Sequence, residues 1–287
     1  MTPSYFGDSQ QALFGCFHPA EGDRSLERGV LLCAPVAQEN IRTSWGLRQL
    51  AGTLAREGFD VFRFDYSCVG DSWGDSAEAC LGQWVADIGA ACAELRDVSG
   101  VRRVSLVGLR LGGALAARAL GEGLEADTLV LWDPVVRGAH YLAELETLHG
   151  AMLTDPDRFP LHLAQLLSQR WPTVARFLGD SSHGGQLGQL GQLGQLVGFP
   201  FGPPLRGELN ALDLPTDLAN TTVPLGLVTS EDLPEYHYLR TTFGSRPVVC
   251  HSEGTPGRWN EVATVEQALL PGTLHRLIAS LLIELST

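Results

Sequence analysis

Gly108-Leu109-Arg110-Leu111-Gly112 has the outline of a reactive turn, with a cation where the reacting group would stand. A short apolar run ends at Val107, and Leu111, Leu115 and Ala119 then recur at helical spacing, so Gly108 to Gly113 are expected to form a sharp strand-to-helix turn. In turns of the form G-x-S-x-G, small flanking residues let a strained backbone lift a serine to the top of a sheet, beside amides that hold an oxyanion. Here the glycines are in place and the nucleophile position is Arg110. A guanidinium is protonated at any working pH and cannot attack a carbonyl, which closes covalent acyl transfer through this residue. The N-terminus of a helix also disfavours a cation by roughly 0.3 to 1 kcal/mol, so Arg110 calls for an anionic partner. That partner is either an internal carboxylate or the carboxylate or phosphate of a ligand, clamped bidentately.

Two carboxylates stand where neighbouring strands end. Arg28 to Val36 reads as a strand, and the loop Ala37-Gln38-Glu39-Asn40 follows it, ahead of a helical pattern from Thr43 to Glu57. Glu39 is the first candidate partner. Asp127 to Asp133 is a later strand, and Asp133 at its end is the second. The remaining pattern alternates strands with helices: a first strand over Ala12 to His18, another over Asp60 to Asp65, and a helix over Leu81 to Leu95. From Gly138 to Ala219 the pattern changes to helical stretches, around Tyr141 to Met152 and Leu161 to Leu178, with Gly-Gln-Leu repeated four times over Gly185 to Leu196. A three-residue period fits neither helix nor strand, so this segment reads as a linker. After the turn Gly198-Phe-Pro-Phe-Gly-Pro-Pro, a short helix is expected over Leu205 to Leu212. Strands resume with Val223 to Thr229 and Arg246 to Cys250.

The 287 residues suit one large α/β unit with an insertion: a core over 1–137, a helical lid over 138–219 and the rest of the core over 220–287. Composition at 44% hydrophobic supplies a sizeable core. A net charge of −13, with arginine as the only strong base and no lysine, argues against nucleic acid and anionic membranes as partners. Cys16, Cys33, Cys68, Cys80, Cys92 and Cys250 form no C-x-x-C pair and show no metal-ligand spacing, so no metal or cofactor is expected, and reduced thiols point to the cytoplasm. The sequence shows neither a signal-peptide pattern nor an apolar run of membrane-spanning length. His275 reads as a surface residue in the middle of the last helix.

The turn around Arg110, Cys33-Ala-Pro-Val-Ala-Gln-Glu-Asn, Phe64-Asp-Tyr with Gly70-Asp-Ser, Trp132-Asp-Pro-Val-Val and Gly198-Phe-Pro-Phe resemble bacterial α/β-hydrolases of the serine aminopeptidase-like group. The match is closest to the exosortase A system-associated hydrolases, one branch of which has G-L-R-L-G at the same turn. The resemblance implies an α/β-hydrolase fold, with a mostly parallel sheet, helices on both faces and a helical lid. It also implies an ester, thioester, amide or peptide-like ligand and a setting in a polysaccharide or secondary-metabolite cluster. The amides of Leu111 and of Ala37 or Gln38 would line the oxyanion hole. Some hydrolases of this fold place the triad acid where Asp133 stands; Glu231 or Asp232, after the strand ending at Thr229, matches the more usual place of the acid in chain order, and His251 is the one histidine near the place of the base. The loop Thr255-Pro-Gly-Arg-Trp259 beyond it holds no histidine. Where hydrolases of this fold carry D-x-R-G-x-G-x-S, this chain keeps Asp65, Gly70 and Ser72 but has Ser67-Cys68 in place of Arg-Gly, and either could be a displaced nucleophile.

Three readings follow. The first is a protein that binds an acyl-type or carboxylate-bearing metabolite and has lost covalent serine catalysis, any turnover being that of a non-covalent hydrolase, lyase or cyclase. The second is a pseudoenzyme serving as a partner subunit or homodimer, with Arg110, Glu39 and Asp133 closed into an ion-pair network. The third is a hydrolase with its nucleophile relocated to Ser67 or Cys68.

Overall fold

Near-continuous apolar runs such as Gly29-Val-Leu-Leu-Cys33 and Leu129-Val-Leu-Trp132 are what a strand covered on both faces requires. They lie at the centre of an eight-stranded sheet. The computed structural model describes residues 1–22, 26–154, 194–243, 248–252, 259 and 272–285. In chain order the described elements are β1 (Thr2–Phe6), β2 (Leu13–His18), β3 (Arg28–Cys33), α1 (Ala37–Arg56), β4 (Asp60–Phe64), α2 (Leu81–Ser99), β5 (Arg103–Leu109), α3 (Leu111–Gly121), β6 (Thr128–Trp132) and α4 (Gly138–Thr154). Then come β7 (Gln195–Leu196), β8 (Phe199–Pro200), α5 (Pro203–Asn210), α6 (Leu214–Ala219), β9 (Leu225–Thr229), α7 (Pro234–Phe243), β10 (Val248–Ser252) and α8 (Gly272–Leu285).

The sheet order is β1-β2-β4-β3-β5-β6-β9-β10, with β1 and β2 antiparallel and the other six strands parallel to one another. Two apolar layers cover it. Leu47, Leu50 and Leu54 of α1 pack with Ile278 and Leu282 of α8 on one face. Trp84, Ile88 and Leu95 of α2 pack with Leu111 and Leu115 of α3 on the other. From β3 the chain winds outward to β4, while β5 lies on the other side of β3. The crevice beyond the C-terminal ends of β3 and β5 is therefore the topological switch point, where open α/β sheets bind ligands.

Four non-glycine residues with positive φ follow the ends of four adjacent parallel strands: Ala37 (54°) after β3, Cys68 (64°) after β4, Arg110 (52°) after β5 and Asp133 (41°) after β6. A backbone of this kind costs about 1–3 kcal/mol per residue and persists only where its surroundings fix it.

Several expectations shift. The helix expected from Thr43 begins at Ala37, so Ala37 to Asn40 are its first turn and not a loop. The leucine periodicity missed that turn because it buries a polar side chain, Glu39, at 1% exposure. His275 is buried, not exposed, and its pKa is lowered by burial and by Arg56. The strand expected over Ala12 to His18 is β2, and β1, which pairs with it as an antiparallel hairpin at the sheet edge, is an addition to the expected strands. Leu161 to Leu178 and most of the Gly-Gln-Leu repeat lie outside the described residues; the last two residues of the repeat, Gln195 and Leu196, pair with β8. Arg137 and Asp213 bridge the two ends of the segment between β6 and α6 through backbone pairing and a 2.5 Å ion pair.

Candidate active site

Glycines seat α3 against the sheet. A Cβ on Gly108 would stand 2.3 Å from the Cα of Gly113, and one on Gly112 would stand 2.3 Å from the carbonyl oxygen of Cys33. Neither position admits a side chain. Arg110 between them has φ 52° and ψ −122°. Three hydrogen bonds fix it: its amide donates to Trp132 O at 2.9 Å, and its carbonyl accepts from Gly113 N at 3.1 Å and Val135 N at 3.2 Å. The strain is thus held by β6 and by the first turn of α3.

The Arg110 side chain is 10% exposed. Its Nε donates to Glu39 Oε1 at 2.9 Å, its Nη2 to Glu144 Oε2 at 3.2 Å, and its Nη1 makes a long 3.5 Å contact with the carbonyl oxygen of Asp133. The guanidinium carbon lies 5.7 Å from the centre of the Tyr141 ring, and Tyr141 Oη donates to Glu39 Oε2 at 3.3 Å. Burial disfavours the charge on Arg110, but Glu39 and Glu144 outweigh burial and raise its pKa. Burial and the Glu39 carboxylate together raise the pKa of Tyr141, so it stays a neutral donor. Tyr141 and Glu144 were not singled out in the sequence; their i, i+3 spacing on α4, which puts both on one helix face, was the available signal.

Asp133, the second candidate partner, turns its carboxylate elsewhere. It is 1% exposed and accepts from Ser230 N and Ser230 Oγ, each at 2.6 Å, and from Trp259 Nε1 at 3.0 Å. Burial raises its pKa against the pull of these three donors and of Arg110. The three-way Arg110, Glu39 and Asp133 network is corrected accordingly: Arg110 meets Asp133 through the main chain, and Glu144 supplies the second carboxylate.

Asp232, placed by chain order as an acid, lies at the surface, where it pairs with His237 at 3.1 Å and Arg240 at 3.4 Å. His251 lies within β10, its Cα paired with Val228. Ser67 is buried, its amide donating to Asp87 at 2.7 Å and its carbonyl accepting from Trp84 Nε1 at 2.9 Å; no described group bonds its hydroxyl. The Cys68 thiol is pushed up by burial and then by Glu78 and Asp87, away from the thiolate a nucleophile needs. These surroundings disfavour both relocated nucleophiles.

Beside this cluster lies a cavity of about 410 Å³. It is framed by Val36, Ala37, Asn40 and Ile41 of the β3–α1 junction, by Cys68, Val69, Ser76 and Trp84, and by Phe199, Phe201 and Leu205. Among the described residues its lining includes no charged one, and Arg110, Glu39 and Tyr141 are not part of it. Successive residues of the first turn of α1 separate the two regions: Ala37, Asn40 and Ile41 face the cavity, and Glu39 faces Arg110. Gln38, in the first turn of α1, is half-buried, and Leu111, the first residue of α3, is fully buried. Among the described residues no group of three His, Cys, Asp or Glu could hold a metal ion, and no helix is long and apolar enough to cross a membrane.

The family model described as serine aminopeptidase, S33, matches residues 40–187, over half of the chain. The chain belongs to that family. Among solved structures it is similar to a proline iminopeptidase from Mycobacterium smegmatis, with 15% identity, 99% of each chain covered and a TM-score of 0.61. It is also similar to an esterase from Pyrococcus furiosus, with 14% identity, 100% of this chain and 91% of that one covered and a TM-score of 0.60. A third is Est1E from Butyrivibrio proteoclasticus, with 11% identity, 99% and 98% covered and a TM-score of 0.56. At such identities the likeness is one of fold, and the fold is that of the α/β-hydrolases. No curated protein matches the sequence.

Proposed function

We propose that this member of the serine aminopeptidase family binds a neutral, largely apolar acyl- or ester-type small molecule in the cavity beside α1 and does not carry out covalent serine hydrolysis. Arg110 stands in this reading where the family's nucleophilic serine would stand. The observation that carries it is the division of the switch-point crevice. One part is filled by a buried guanidinium held by two carboxylates, and the other is an uncharged cavity of about 410 Å³. An arginine already paired internally serves the fold, and an uncharged lining selects a ligand portion without charge, since burying an unpaired ion is costly. The segment 138–219 acts in this reading as a lid, contributing Phe199, Phe201 and Leu205 to the ligand's surroundings.

A second reading rests on Glu144, whose side chain is 47% exposed. A ligand carboxylate could replace it on Arg110 Nη2 in a like-for-like exchange, giving an anion clamp and a route to non-covalent turnover. The test pairs hydrolysis of p-nitrophenyl esters and acyl thioesters with thermal-shift titration of short and medium-chain acyl methyl esters and free acids, for the wild type and Arg110→Ala. The expected result is stabilisation by neutral esters without hydrolysis. Wild-type hydrolysis that vanishes in Arg110→Ala would overturn the first reading in favour of the second.

A further inference from the structure

Asp133, Ser230 and Trp259 make a hydrogen-bonded arrangement that neither ligand binding nor the Arg110 ion pairs use. Asp133 follows β6 with φ 41°, its amide held by Val228 O at 2.9 Å and its carboxylate by Ser230 and the Trp259 indole. The indole is 8% exposed and packs edge-on against Trp132 at 5.8 Å. Trp132 is also the residue whose carbonyl receives the amide of Arg110. A buried carboxylate accepting a hydrogen bond from a ring N–H is how a triad acid orients its imidazole, and here Ser230 adds two further donors that fix the carboxylate. Burial alone opposes a carboxylate there, and its donors from Ser230 and Trp259 are what hold it.

Resting on the proposal that position 110 has lost its serine, we infer that the chain keeps the frame of a hydrolytic triad in the order Arg110, Asp133, Trp259. Asp133 is the retained acid, and the Trp259 indole stands in the place of the base. Indole Nε1–H donates but cannot accept a proton, so Trp259 blocks general-base chemistry as completely as Arg110 blocks nucleophilic attack. Both blocks must be lifted together for hydrolysis to return.

The test is Arg110→Ser with Trp259→His, beside each single variant and the pair with Asp133→Asn added, assayed with p-nitrophenyl acetate and butyrate. In the double variant the introduced hydroxyl bonds to the acyl carbon as its proton passes to the imidazole, and p-nitrophenolate leaves. The imidazolium releases that proton to solvent; water then bonds to the acyl carbon as the imidazole takes one of its protons, the bond between the introduced oxygen and the acyl carbon breaks as that proton passes to the oxygen, and the carboxylic acid departs. Hydrolysis about 100-fold or more above the wild type and both single variants is expected, in the range that a positioned base supplies. It should rise with pH through the imidazole range and disappear when Asp133→Asn is added. Fluorophosphonate labelling of the double variant alone reads the same site without turnover. Should the double variant fold poorly, NMR titration of Trp259→His takes its place: the introduced imidazole should have a raised pKa that falls on adding Asp133→Asn. A folded double variant that neither hydrolyses nor labels, or an imidazole indifferent to Asp133→Asn, overturns the inference. Neither outcome touches the binding proposal, which falls if neutral esters fail to stabilise the wild type or if the wild type hydrolyses them.

Discussion

The two halves of the crevice differ in how they satisfy the same strained edge. Around Arg110, every side chain is spent on another: guanidinium on Glu39 and Glu144, phenol on Glu39, ring face on guanidinium. Across the first turn of α1, the cavity presents apolar and neutral surface. One helical turn separates a region filled by its own charges from an open apolar cavity, and the first turn of α1 borders both. Polar atoms that find partners inside the fold close a site, whereas apolar walls that fail to meet leave one.

The largest effect on this contrast should come from Glu39→Gln. Removing one charge of a buried pair typically costs 3–5 kcal/mol, and Glu144 retains part of the compensation, so a loss of about 3 kcal/mol is expected, read as a drop in the urea unfolding midpoint. If stability were unchanged, Glu39 would not be what holds Arg110 in place. Next, Val69→Trp should fill the cavity from the β4 side. We expect at least a tenfold loss of affinity for neutral acyl esters, about 1.4 kcal/mol, while the Arg110 cluster and the thermal midpoint change little. Retained affinity would move the ligand out of the cavity. The smallest effect belongs to Glu144→Gln. Its side chain is 47% exposed, so solvent screening limits the stability loss to about 1 kcal/mol or less. The same variant should bind acetate or butyrate no better than the wild type if Arg110 is purely internal. A gain in carboxylate affinity would favour the anion-clamp reading.

The α/β architecture was legible because its signals are local. Apolar runs marked the central strands, three-to-four periodicity marked the helices, and the glycines at 108 and 112 marked the sharp turn. Ala37 to Asn40 was misread for a related reason: buried Glu39 looks polar in a hydrophobicity pattern although its partner makes it a core residue. His275 escaped because it too is a polar residue in a buried position.

For the site, the chemistry of the side chain was enough to require an anion near Arg110, because a desolvated guanidinium at a helix N-terminus cannot stand alone. Which anion answers is a matter of tertiary structure. Glu39 lies 71 positions away and Glu144 34 positions away, and both reach Arg110 because α1 and α4 converge over the end of β5. Asp133, one strand over, is turned by its own positive φ toward Ser230 and Trp259. Sequence alone determined the strands, the strained turn and a cation in need of a counter-ion, since these follow from local pattern and residue chemistry. The partner of that cation, the donors on Asp133 and the uncharged cavity were decided only by the fold, because they depend on where backbones on neighbouring strands point their side chains.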